Sequence, residues 1–170
     1  MTIAQVLLAD FDAEMSNTRR TLERVPEGAE AWVPHERSMA LGKLAMHCAR
    51  MPLFGFYVLE DEGMDLMAAT RPHPSLVFTT REACLEAFDE ALAQCRAALE
   101  AATDEQLEAT WKFCAGEYVI LAESRVATFR RMCFNHMIHH VAQLGVYLRL
   151  NEIAVPPLYG PSADEQWESR

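Results

Sequence analysis

The sequence predicts an all-α fold, a bundle of four long helices, and three observations carry that prediction. Thr2-x-x-Gln5, Thr79-x-x-Glu82 and Thr103-x-x-Gln106 place a hydroxyl residue three positions before Glu or Gln, the spacing of a helix-opening capping box. Long segments repeat apolar residues at steps of three and four. No run sustains the two-residue alternation of a half-buried strand.

The first box opens a helix carrying Ile3, Val6, Leu7, Phe11, Met15 and Leu22, which ends before Pro26 and Gly28. Ser38 is the expected N-cap of a second helix over 39–62, with Pro52 as a kink because proline lacks the ladder donor. Residues 69–75 read as a linker. The second box opens a helix rich in Ala, Leu and Glu, with Cys84, Leu85, Phe88, Leu92, Cys95 and Leu99 on one side. Residues 108–120 read as a short helix and loop or a brief strand pair. The last long helix is expected over 121–151, stopping ahead of Pro156 and Pro157.

At 170 residues, the chain is expected to form one domain over 1–170. It carries 15 Lys+Arg against 25 Asp+Glu, and this net charge of −10 disfavours nucleic acid and anionic membrane surfaces, both of which call for cationic patches. No run reaches the roughly 18 apolar residues of a membrane span, and the N-terminus lacks the basic start of a secretory signal. Cys48, Cys84, Cys95, Cys114 and Cys133 are odd in number and form no CxxC pair. Reduced thiols and a cytoplasmic protein are therefore expected.

The chemistry concentrates in the last helix. One seam runs Val126, Phe129, Cys133, His136, His140, Gln143, Tyr147, Leu150, apolar at both ends and polar in its middle. His136 and His140 stand four residues apart, so their rings leave one face about a turn apart and can converge on one ion. His139 lies off that line and suits a rim or supporting role. A third ligand is expected from a facing helix. His47 is the candidate, one imidazole on the stripe Ala40, Leu44, His47, Met51, Phe54, Val58.

Taken alone, a histidine on an apolar face is usually a core residue bonded to a carbonyl. An unpaired buried polar group costs roughly 1–3 kcal/mol, and an ion shared by three imidazoles removes that cost for all of them. Three histidines also leave coordination positions open, as catalytic sites do. His35 and His73 read as surface or loop residues. Cys48 and Cys133 read as small buried hydrophobes in the absence of a depressed pKa.

The stretches WVPHERSMALGKLAMHCARMP and NHMIHHVAQLGVYLRLNEIAVPPLYGPSADE resemble the DinB-like family of small metalloenzymes over almost the whole chain. The resemblance implies an antiparallel four-helix bundle, a homodimer, and a divalent ion, nickel or zinc, held by His47, His136 and His140. It further implies a small-molecule substrate and a low-molecular-weight thiol as cosubstrate, in a thiol S-transferase or a related hydrolase or isomerase of detoxification type. The alternative is a stress protein that holds metal or a small ligand without turnover. Gln143 and Tyr147 are expected near the site as ligand or substrate contacts. Tyr159 is expected either to fold over its opening or to pack in a loop against the bundle.

Overall fold

The computed structural model describes residues 1–68 and 74–166. Among them, four long helical stretches surround a common core, and a three-stranded sheet takes one strand from the link between the second and third stretches and two from the segment before the last. The sheet corrects the all-α expectation.

Helix α1 (Ile3–Leu22) opens on the capping box the sequence announces, with Thr2 and Gln5 exchanging side-chain to backbone bonds. Its buried stripe of Leu7, Phe11, Met15 and Leu22 follows the helical period. Helix α2 (Leu41–Glu60) begins two residues later than expected. Ala40 is its N-cap and makes no side-chain cap bond. Instead the preceding loop supplies the acceptors, Trp32 O for the Leu41 amide and Glu30 O for the Gly42 amide. The loop runs so close to the helix that a Cβ on Gly42 would lie 2.8 Å from the Cβ atoms of Glu30 and Phe78. Pro52 sits inside α2 without ending it. The linker expected at 69–75 and His73 within it lie outside the described residues, apart from Pro74 and Ser75.

Helix α3 (Arg81–Ala101) is capped by Thr80 rather than Thr79, its hydroxyl accepting from Ala83 N. Helix α4 (Asp104–Glu108) is capped by Thr103, but Gln106 does not close the box. Its amide donates instead to Leu59 O at the end of α2.

The sheet has the order β1 (Gly63–Asp65), β2 (Thr110–Ala115), β3 (Tyr118–Ser124). β1 runs parallel to β2, with Met64 opposite Phe113, while β2 and β3 form an antiparallel hairpin turning at Gly116, φ +59°. The expected helix over 121–124 is therefore strand. Short α5 (Arg125–Thr128) then leads through a π-helical segment (Phe129–Asn135) into α6 (His136–Leu150). The wider turn of that segment shifts the faces before it relative to those of α6. Cys133 and Phe134 are buried, while Leu150 at the end of the predicted seam is exposed.

Helix α2 packs against α3, α6 and the π segment, and α1 closes the ring by touching α3 and α6. Phe11, Phe88, Phe129, Leu44 and Leu99 are fully enclosed within it. Gly55 marks the closest approach, since a Cβ there would come 2.9 Å from the sulfurs of both Cys95 and Cys133. The end of α2 is tied down by side chains from the insertion. Arg125 donates to Val58 O and Asp61 O, and Trp111 donates to Asp61 O.

Candidate metal centre and adjoining cavity

Three imidazoles meet between α2 and α6. His47 comes from the middle of α2, and His136 and His140 from the first turns of α6. One ring nitrogen from each lies within 4.8 Å of the others, and the Nε2 atoms of His136 and His140 are 2.8 Å apart. The His47 ring meets the other two at centroid separations of 5.4 and 4.6 Å. Nitrogens about 2.0–2.1 Å from one ion lie about 2.8–3.4 Å apart for angles from 90° to 109°, so the cluster has the scale of a three-nitrogen site.

The protonation pattern suits a cation. Burial, followed by the neighbouring charges of His140, His136 and Lys43, pulls the His47 pKa down to about 4. Burial also lowers His136, helped by His140 and His139. It lowers His140 too, against the opposing hydrogen bond from Gln143. All three rings are neutral at pH 7 and carry a lone pair to share. Gln143 Oε1 lies 2.8 Å from His140 Nδ1, and an amide oxygen can only accept. It holds the proton on Nδ1 and turns the Nε2 lone pair toward the cluster.

Of the other expected contacts, His139 stands at the rim of the cluster, while Tyr147 and Tyr159 make their contacts elsewhere. His139 is exposed and touches the His140 ring edge-on, at a centroid distance of 5.0 Å. Tyr147 packs edge-on against Trp32, 5.4 Å between centroids. Tyr159 donates to Glu14 Oε2 on α1 and does not cover an opening at the histidines. Its tail is tied to the bundle by Arg20 with Pro157 O, by Arg24 with Glu165, and by Arg149 with Asp164. The packed-loop alternative for Tyr159 therefore describes the structure. His35 accepts from the Arg37 amide in an exposed turn. Burial pushes the Cys48 thiol far up and Cys84 to about 11, which leaves both as inert hydrophobes.

His47 and His136 also form one wall of a cavity of about 340 Å³. Its remaining walls are mostly apolar, with Met51 and Phe54 from α2, Met64 from β1, Phe113 from β2 and Met132 from the π segment. The sheet is thus part of the site, because it closes the cavity on the side that the helices leave open. Arg50 lines the same space, one turn from His47. Sequence reasoning did not single it out, although its i,i+3 spacing from His47 was there to read.

Residues 10–144 match the sequence model of the DinB superfamily. Two crystal structures share the fold. One is of a DinB-like protein from Bacillus cereus, 21% identical, covering 93% of this chain and 98% of that one with a TM-score of 0.69. The other is of a DinB-like protein from Bacillus subtilis, 20% identical, covering 94% and 98% with a TM-score of 0.68. A search of the curated proteins found no match.

Proposed function

The chain belongs to the DinB superfamily, and from that premise we propose that it is a metal-dependent enzyme acting on a small organic molecule, with a low-molecular-weight thiol as cosubstrate. The observation that carries this reading is the convergence of three neutral imidazoles, two of which line an apolar cavity. His47, His136 and His140 would hold a divalent ion, nickel or zinc, and their donor set suits either. When bound, the ion supplies Lewis acidity and lowers the pKa of a thiol or water beside it.

The chain's own residues do the rest. Gln143 keeps His140 in the tautomer that donates through Nε2. Met51, Phe54, Phe113 and Met132 surround the space next to the histidines with hydrocarbon, which lowers its polarity and strengthens electrostatic interactions within it. The proposal takes residues 1–170 as one domain and the working molecule as a homodimer, for which the exposed Val146 and Leu150 of α6 offer an apolar face.

Elemental analysis of untagged protein tests the centre. One divalent ion per chain is expected, with His47→Ala, His136→Ala and His140→Ala each losing it. Wild-type protein retaining no more metal than the variants would end the metal reading. Conjugation of thiols to a panel of electrophiles then tests turnover. Metal-loaded protein inactive throughout would favour the non-catalytic alternative.

No helix among the described residues is long and apolar enough to cross a membrane.

A further inference from the structure

The cavity beside the histidines has one feature that its apolar walls do not explain. Arg50 follows His47 by three residues on α2, so both side chains leave the same face and line the same space. Its Nε is buried and finds no hydrogen-bond partner among the described residues. Among the described residues its only ion pair is a 3.7 Å approach of Nη1 to Glu90, a carboxylate 65% exposed. A long contact to an exposed acid does little to satisfy a guanidinium. A buried donor left unpaired is costly, and the protein leaves this guanidinium, whose side chain is 25% exposed, without a strong partner of its own.

The remaining described lining is almost entirely Met, Leu, Phe, Tyr and Pro, with the two histidines at one side. Arg50 is the single cation in that lining among the described residues. A guanidinium fork matches a carboxylate, and the walls match hydrocarbon or an aromatic ring.

We propose that Arg50 is a specificity-determining residue, and that the cavity takes a small, largely apolar molecule bearing one carboxylate, seated on Arg50 with its body along the wall shared with His47 and His136. This deepens the small-molecule reading of the same site and rests on it. The chain's net charge of −10 makes the point sharper, because nothing in the overall field attracts an anion and selection must come from this local group.

The test uses the isosteric pair 4-phenylbutyrate and 4-phenylbutyramide as probes. Their binding is measured by calorimetry to untagged full-length protein, in metal-free and metal-loaded forms. In the metal-free protein the carboxylate is expected to bind about tenfold tighter than the amide, the scale of one charge-assisted hydrogen bond. Arg50→Gln should bring the two within about twofold while leaving metal content unchanged. Should Arg50→Gln lower the unfolding midpoint, Arg50→Lys carries the test. Replacing the fork by a point charge should cut the preference at least threefold, and an unchanged preference overturns the assignment.

Binding of neither probe, or a preference that survives Arg50→Gln, also overturns it. A preference seen only in the metal-loaded protein and kept by Arg50→Gln assigns the carboxylate to the histidine centre. That outcome refutes the role of Arg50 and leaves the metal reading standing. A preference abolished by Arg50→Gln in a protein that retains no metal does the reverse.

Discussion

Gln143 gives the most direct handle on the candidate centre. It is exposed, so its replacement does not disturb the core, yet its Oε1 lies 2.8 Å from His140 Nδ1. In the metal-free protein this is a neutral hydrogen bond worth about 1 kcal/mol. Once His140 shares its other nitrogen with a cation, the Nδ1–H becomes more acidic and the bond approaches the charge-assisted kind, roughly twice as strong. Gln143→Ala removes that gain and also frees the ring to adopt the tautomer whose proton sits on Nε2. The expected loss is about 2 kcal/mol, or about thirtyfold in metal affinity, within the 10–100-fold range of outer-shell contacts. Gln143→Glu keeps the acceptor and should hold metal at least as tightly as wild type. Competition titration against a chromophoric chelator measures all three proteins. Gln143→Ala binding within twofold of wild type would refute the claim that this amide orients His140.

Three further outcomes follow from other parts of the molecule. Arg125→Met should destabilise the fold by about 2–4 kcal/mol in urea unfolding, because two charge-assisted bonds to the end of α2 are lost, partly offset by relief of a buried charge; a change below about 1 kcal/mol would mean that water replaces the guanidinium. In metal-free protein the unfolded His47 gains its proton near pH 6.5 while the folded one resists to about 4, so stability should fall as pH drops through that window and level below it. His47→Gln should flatten that decline, and unfolding midpoints that run parallel to wild type from pH 7.5 to 4 would contradict it. Tyr159→Phe loses its bonds to α1, the one to Glu14 among them, and should leave metal content unchanged, whereas metal loss in that variant would place the tail at the centre after all.

The candidate site was more legible than the fold around it. His136 and His140 share a face by helical arithmetic, and His47 stood out as one polar side chain on an apolar stripe. Capping chemistry was readable where it is local, as at Thr2 and Thr103, but at the adjacent threonines 79 and 80 the Glu82 spacing pointed to the first and the cap fell on the second. The hairpin was one of the two readings of 108–120, but its second strand runs on to Ser124, and because β3 is mostly exposed and shows no alternation, 121–124 passed as the start of a helix. The π segment escaped for a different reason. Its side chains keep a pattern that also suits an α-helix, and only the backbone hydrogen bonding of the folded chain reveals the wider turn.

The sequence by itself determined the family, the long helices and the three imidazoles, because each of these is written in spacing along one chain. Tertiary structure decided which groups surround them. Gln143 on His140, Arg50 in the cavity, Arg125 on the end of α2 and the sheet that closes the apolar wall all depend on where elements meet. Helical periodicity reports which residues share a face. It carries no information about what stands opposite that face, and the chemistry of this site lies between facing elements.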